Sequence, residues 1–144
     1  MDDVITTSID IDAELGRVWD LVSEPGWWIN SGRLGGHRVE RRGDECSVHD
    51  LDLGEFSVGV VAFEPPRRAV FTWHPGGDAV PRTTVEFTLQ PQDGGTVRVT
   101  VVESGFTAMS ADQHARNYGA NVSGWQEELG LALAQLEGRA GARS

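Results

Sequence analysis

Glu103 is the residue whose place in the sequence carries the clearest chemical potential. It closes a strand-like segment in which Val97, Val99 and Val101 alternate with other residues. Because successive side chains of a strand point to opposite faces, a regular strand directs the Glu103 carboxylate into the same apolar groove as the valines. A carboxylate there could act as an acid, a base or a ligand anchor. Two alternatives stay open: a bulge turns Glu103 to solvent, or an arginine pairs with it structurally.

The five tryptophans point to a flat or apolar ligand. Trp27, Trp28, Trp73 and Trp125 are candidates for the wall or rim of a pocket, since aromatic side chains line many small-molecule sites. Trp28 is the strongest candidate because it lies near a glycine-rich stretch. Trp19 and Trp125 lie on helical apolar stripes, and for both the alternative is ordinary core packing.

Two polar side chains of the closing segment could orient a ligand. Tyr118 and Asn121 lie about one helical turn before Val122 and Trp125. Hydroxyl and amide groups hydrogen-bond a ligand without the desolvation penalty of a charge. The alternative is that these polar groups simply face water.

Sequence motifs for metal, phosphate or nucleophilic chemistry are missing. The histidines are scattered, at His37, His49, His74 and His114, without an HExxH pattern or a paired CxxC. There is also no GxSxG elbow, P-loop or GxGxxG, which serine hydrolases, nucleotide triphosphatases and dinucleotide-binding domains require. The sequence therefore predicts no metal site and no cofactor.

Composition excludes further classes of function. The formal net charge of −10 repels phosphate backbones, so nucleic acid is not a predicted partner. All 12 basic residues are arginine, which excludes Schiff-base chemistry through lysine. The single cysteine, Cys46, cannot form an internal disulfide, which fits either a reducing cytoplasm or indifference to redox conditions. No apolar stretch approaches the roughly 20 residues that span a bilayer, so stable membrane insertion is not predicted.

A long amphipathic helix is predicted for the closing segment, from Ser110 to about Gly138. Ser110 and Gln113 have the spacing of a capping box, in which each side chain bonds the backbone amide of the other residue. Apolar residues recur at spacings of three or four, which places them on one face of the helix. They are Tyr118, Val122, Trp125, Leu129, Leu133 and Leu136.

The preceding segments read mostly as strands. Alternation over 5–11 predicts a first strand, and Asp12 is expected to cap a short helix that Pro25 and Gly26 end, followed by a loop or a second short helix. From about Arg38 we expect five antiparallel strands, with a hairpin formed by 84–90 and 96–103. The whole chain, 1–144, is predicted to be one domain, with a frayed tail at 139–144.

Several short motifs occur in an order that resembles a known family. They are Ile9-Asp10-Ile11-Asp12-Ala13 with Val18-Trp19, Phe63-Glu64-Pro65-Pro66-Arg67-Arg68 leading to Phe71-Thr72-Trp73, Gly94-Gly95-Thr96, Glu103-Ser104-Gly105-Phe106, and Gly124-Trp125 with Leu129, Leu133 and Leu136. Together they resemble the bacterial activator of heat-shock-protein-90 ATPase homologue-like proteins, within the SRPBCC superfamily of START domains and the birch-pollen allergen. The resemblance covers nearly the whole chain.

This resemblance implies an α+β helix-grip fold. A curved antiparallel sheet of about six strands would wrap around the long C-terminal helix, with one or two short helices after the first strand. A deep apolar cavity would lie between the sheet and the helix. The superfamily holds ligand carriers, polyketide cyclases and chaperone cofactors, so the fold does not choose a function by itself.

The leading hypothesis is a cytoplasmic binding module for a small apolar or aromatic molecule. The expected ligand contacts are Trp28, Trp73, Glu103, Phe106, Tyr118, Asn121 and Trp125. One alternative is a cyclase- or aromatase-like enzyme in which Glu103 or a histidine moves protons on a polyketide-like substrate, although a non-catalytic role is favoured. Another is a module that binds a chaperone or regulator through its acidic surface, and the strand surfaces of 46–61 could support a homodimer.

Overall fold

A computed structural model describes residues 3–35 and 37–141, with only the backbone described for 139–141. These residues form seven strands and two α-helices, in the α+β order that the sequence predicts. In chain order they are β1 (Val4–Ile11), α1 (Leu15–Val22), β2 (His37–Arg42), β3 (Glu45–Asp50), β4 (Gly54–Glu64), β5 (Arg68–Trp73), β6 (Thr83–Pro91), β7 (Val97–Ser104) and α2 (Ala111–Gly141). A short 3-10 helix, Phe106–Ala108, precedes α2.

All seven strands belong to one antiparallel sheet in the order β1-β7-β6-β5-β4-β3-β2. With α2 this is a helix-grip fold, as predicted, with seven strands where about six were expected. The edge strand β2 contains a single aliphatic residue, Val39, and all its residues but His37 are exposed. A strand at the sheet edge that buries little shows little apolar alternation.

The predicted hairpin is confirmed as β6 and β7, which pair from Thr84 with Ser104 to Pro91 with Val97. Its turn contains Gly94 and Gly95, both with positive φ. The inward faces of β6 and β7 are buried, and the alternation places Glu103 on that inner face with the valines. The hairpin therefore supplies the floor on which the site is built.

Helix α2 begins as predicted. The Gln113 amide donates to Ser110 Oγ over 3.2 Å, and the Ser110 amide donates to Gln113 Oε1 over 3.1 Å, which completes the capping box. Trp125, Leu129, Ala132 and Leu136 are buried against the sheet side. At the other end the helix backbone continues through Gly141, whereas the rest of the predicted tail, 142–144, lies outside the described residues.

Helix α1 buries Val18, Trp19 and Val22, as its spacing predicts. Its cap differs from expectation: the N-cap is Glu14, which makes no side-chain capping bond. Asp12 does not cap the helix, and its backbone amide donates instead to Glu137 Oε2 over 2.7 Å. The start of α1 is thereby tied to the second half of α2.

The loop after α1 forms consecutive turns and no second helix. Gly26 has a φ of 76°, and a Cβ atom there would lie 2.8 Å from a methyl carbon of Val48. Only glycine fits this conformation at this distance without a shift of the neighbouring side chain. The tight approach of the loop to β3 places the next residues, Trp27 and Trp28, in the core.

Candidate functional site

A cluster of aromatic rings fills the centre of the groove between the sheet and α2. Trp28 is 4% exposed. The centroid of its ring lies within 6 Å of the ring centroids of Phe71, Trp73, Phe87 and Trp125. Such tilted and edge-on pairs are favourable arrangements for aromatic quadrupoles. The protein's own side chains therefore occupy most of the space in which a deep cavity was expected.

Glu103 lies beneath this cluster and is fully buried. Its Oε2 atom accepts hydrogen bonds from Trp73 Nε1 at 2.9 Å and from Thr83 Oγ1 at 2.5 Å. Its Oε1 atom accepts from Asn121 Nδ2 at 2.9 Å and from Trp125 Nε1 at 2.7 Å. The four donors match the acceptor capacity of a carboxylate, which has about four lone-pair sites.

The arrangement around Glu103 joins four elements of the fold. Its partners come from β5, from β6 and from two turns of α2, while Glu103 itself belongs to β7. The inward orientation agrees with strand alternation, and neither solvent nor an arginine is its partner among the described residues. With both oxygens occupied by protein donors, this carboxylate is a crosslink within the fold.

A cavity of about 90 Å³ remains next to the cluster. Its walls come from the loop after α1, from the end of β5 and from one face of α2. The lining residues are Trp28, Trp73, Asn121, Gly124, Trp125 and Glu128. Four residues predicted as ligand contacts, namely Trp28, Trp73, Asn121 and Trp125, thus meet at one place.

A larger open groove of about 560 Å³ shares Trp28 and Trp73 with this cavity. It is lined by 28–30 of the loop, by residues at the start of β4 that include Glu55 and Phe56, and by 76–78 after β5. Since the two spaces share two indole walls, they form adjoining parts of one candidate site.

Glu128 is the functional candidate that sequence reasoning missed. It is 9% exposed, and its Oε1 atom accepts a hydrogen bond of 2.6 Å from Asn30 Nδ2. Burial raises the pKa of this carboxyl to about 7; the Asn30 bond opposes the shift and the charge of Glu127 adds to it. The available signal was helical spacing, because Glu128 follows Trp125 by three residues and Asn121 by seven.

The other three predicted contacts, Glu103, Phe106 and Tyr118, are not among the residues that line the cavity or the groove. The Tyr118 hydroxyl donates to the Val4 carbonyl over 2.9 Å. Phe106 is fully buried, with its ring centroid 5.2 Å from that of Tyr118. These contacts fasten the start of α2 to the edge of the sheet, and a role for either residue toward a ligand stays a prediction.

Two further properties concern the described residues as a whole. No group of three or more histidine, cysteine or acidic side chains within 3–35 and 37–141 is arranged to hold a metal ion. Across the same residues, none of the helices combines the length and the apolar character that crossing a bilayer requires.

Residues 12–137 match the family described as activator of Hsp90 ATPase homolog 1-like protein. This confirms the resemblance seen in the sequence motifs. A search of curated proteins found no matching relative.

Several solved structures share the fold. Protein MLL2253 from Mesorhizobium loti is 24% identical, with a TM-score of 0.68 and coverage of 94% of this chain and 97% of that one. DynU16, a putative protein in the dynemicin biosynthetic locus, is 22% identical with a TM-score of 0.70; the match covers 95% of this chain and 48% of DynU16. The Aha1 dimer from Colwellia psychrerythraea is 13% identical with a TM-score of 0.68, over 93% of this chain and 96% of that one. At these identities the likeness concerns the fold.

Proposed function

Because this chain belongs to the activator of Hsp90 ATPase homolog 1-like family, we propose that it binds a small apolar or aromatic molecule between its sheet and its C-terminal helix. The observation that carries the proposal is the cavity left open between Trp28, Trp73 and Trp125 in a core that aromatic rings otherwise fill. Apolar walls with a few convergent polar groups are typical of ligand sites. Asn121 and Glu128 supply such polar groups here.

The sizes of the two spaces determine how a ligand would be bound. A volume of 90 Å³ holds only a small group, since a water molecule in the liquid takes up about 30 Å³. The adjoining groove of 560 Å³ falls within the range of small-molecule sites. We therefore place one end of the ligand in the cavity and its body in the groove, against the shared indole rings.

The proposal is tested by filling the cavity from the helix. Gly124 lines the cavity, and a Cβ atom added to it meets no other atom within 4 Å, so Gly124→Leu introduces a side chain without an immediate backbone clash. The control is Gly119→Leu, at an exposed glycine of α2 that also has free space around it. Titration with the neutral dye Nile red measures binding.

We expect saturable Nile red binding in the native protein and in Gly119→Leu, and a loss of about tenfold or more in Gly124→Leu, because the side chain occupies the space that one end of the dye needs. Native mass spectrometry followed by denaturing extraction would then identify any molecule that copurifies. Equal binding by the two variants, or no binding by the native protein, would overturn the proposal.

An enzyme of the cyclase or aromatase type is the second candidate function. Glu103 is poorly placed for proton transfer, because both oxygens of its carboxylate already have protein donors. Glu128 lines the cavity and has a pKa of about 7, which suits a general acid or base near neutral pH. This candidate would be supported if Glu128→Gln lost turnover of a polyketide-like substrate but still bound Nile red.

Binding of a chaperone or regulator, a homodimer and a cytoplasmic location are the remaining proposals. The net charge of −10 supports an interaction governed by charge, which a salt-sensitive pull-down of one partner would detect. One protein of the same fold is described as a dimer in solution. Analytical ultracentrifugation of this chain would test whether it also associates.

A further inference from the structure

We propose that the ligand of the cavity and the adjoining groove is an apolar or aromatic amine, whose protonated nitrogen is bound by Glu128, a side chain that Asn30 holds by a hydrogen bond. The inference rests on the proposed function and narrows its ligand class. It is carried by the charge of the lining, by unfilled hydrogen-bond acceptors and by the arrangement of the indole rings.

The cavity and the adjoining groove are lined by acidic and neutral side chains. Their carboxylates are Glu128, at the cavity, and the exposed Glu55 and Asp78, at the groove; among the described side chains, no arginine or histidine lines either space. Three other pockets of the described surface each include an arginine: Arg17, Arg33 or Arg42. The lining of the candidate site therefore attracts a cation, and no described positive side chain in that lining opposes the attraction.

The hydrogen bonds of Asn30 fix which of its atoms remains available. Its Nδ2 atom donates to the Trp27 carbonyl over 2.8 Å and to Glu128 Oε1 over 2.6 Å. Both partners are acceptors, so the amide nitrogen must face them, and Oδ1 is directed elsewhere. Asn30 Oδ1 is buried and has no hydrogen-bond partner among the described residues.

Glu128 offers a second acceptor. Its Oε1 atom is bonded to Asn30, whereas no hydrogen bond from the described residues reaches Oε2. The side chain is nine-tenths buried and lines the cavity. A carboxylate oxygen that lacks a protein donor beside open space favours a ligand that donates, and a protonated amine carries N–H donors together with the opposite charge.

The indole walls suit a cation as well. The rings of Trp28 and Trp73 are nearly perpendicular, at 87°, with centroids 5.6 Å apart. Phe56 adds a third ring, 6.5 Å from Trp73, on the side of the groove. A corner of aromatic rings attracts a positive charge through their quadrupoles while it also covers the apolar body of the ligand. An anionic ligand, in contrast, would add negative charge beside Glu128.

Three indole compounds with the same aromatic body test this inference: tryptamine is a cation, tryptophol is neutral and indole-3-acetate is an anion. Binding is measured by calorimetry and by displacement of Nile red, at physiological ionic strength and about pH 8. Glu128 is largely ionised at that pH, because its pKa is about 7, and an alkylammonium group stays charged.

We expect tryptamine to bind about tenfold more tightly than tryptophol, and indole-3-acetate to bind most weakly, because a charge-assisted hydrogen bond exists only for the amine. Glu128→Gln should remove the preference for tryptamine over tryptophol. The matched control is Glu127→Gln, which makes the same change of charge at the exposed neighbouring residue and should keep the preference.

Equal affinity for tryptamine and tryptophol in the native protein would overturn the inference, as would a preference that survives in Glu128→Gln. If none of the three indoles displaces Nile red while the dye itself binds, the amine inference fails and the proposed ligand site stands. If Nile red does not bind either, the proposed function fails as well. The comparison within the native protein does not depend on the folding of any variant.

Discussion

Two buried glutamates on either side of Trp125 differ in how their oxygens are used. Glu103 is fully buried and accepts four hydrogen bonds from neutral protein donors. Glu128 is 9% exposed, accepts one hydrogen bond, and lines the remaining cavity. Burial of a charged group alone therefore does not single out a candidate site in this protein. The proposed site rests instead on unfilled hydrogen-bonding capacity next to open space.

The physical reason lies in what each carboxylate contributes to folding. A buried charge with all its partners in place holds together the elements that supply them, and its removal leaves those partners unpaired. A buried charge with a free oxygen keeps part of its desolvation penalty in the folded state. Such groups are common where stability is given up for binding or catalysis.

The largest loss of stability is expected at Glu103. We expect Glu103→Gln to lower the free energy of unfolding by about 3 kcal/mol, because the new amide group turns its own donors toward two existing donors and leaves them unsatisfied. Urea denaturation measures the change. The control is Glu86→Gln on β6, where the partly exposed pair with Arg68 should be worth less than about 1 kcal/mol. Equal losses in the two variants would contradict the role given to Glu103.

Glu128 should behave in the opposite sense. Its pKa is raised from an ordinary value of 4.5 to about 7 in the folded protein, so between these values the folded state holds a proton that the unfolded state releases. Stability therefore falls as pH rises through this window, and the penalty is absent below it and complete above it.

Glu128→Gln should consequently stabilise the protein by about 2 kcal/mol above this window and leave it unchanged below it. This is less than the full shift implies, since one oxygen still touches the open cavity. Denaturation of the two proteins over a pH series gives the difference directly. A pH-independent difference would show that burial of Glu128 is not its cause.

Trp28 and Trp125 are similarly buried, but only the indole N–H of Trp125 has a hydrogen-bond partner among the described residues. Trp125 Nε1 donates to Glu103 over 2.7 Å, whereas Trp28 Nε1 is buried without a partner among the described residues. Trp125→Phe and Trp28→Phe remove the same atoms, so their packing losses are comparable. We expect Trp125→Phe to lose about 1 kcal/mol more in thermal or urea unfolding, from the missing hydrogen bond to a charged group. A loss of stability in Trp28→Phe that equals or exceeds the loss in Trp125→Phe would contradict this prediction.

Tyr118 should give the smallest effect. Its hydroxyl bonds the Val4 carbonyl outside the cavity lining, in a surface contact. We expect Tyr118→Phe to lower stability by about 0.5 kcal/mol and to leave Nile red affinity unchanged. A clear loss of dye binding with normal stability would instead support the predicted ligand contact at Tyr118.

Local patterns predicted much of this molecule. Alternation placed Glu103 on the inner face, helical spacing placed Trp125 in the groove, and the pair Ser110 and Gln113 marked the start of α2. These features depend on a strand or helix period and on residues close in sequence. They need no knowledge of distant segments.

Features formed by distant segments were not predictable in the same way. The four donors around Glu103 come from three different elements, and the filling of the groove depends on how the loop that carries Trp28 packs on the sheet. Glu128 follows Gln126 and Glu127 in the sequence, a polar run that reads as a solvated face. Only contact with Asn30, almost a hundred residues away, shows that it is buried.

The tight approach at Gly26 limits how this site can vary among related chains. A side chain at position 26 must adopt a φ of 76° and meets Val48 at 2.8 Å, so we expect positions 26 and 48 to be exchangeable only as a pair. Position 28, two residues further on, carries no such backbone constraint. The side chain at 28 can therefore differ between related chains while the turn at Gly26 that places it in the core stays the same, so differences in the proposed ligand are expected to follow position 28 rather than 26.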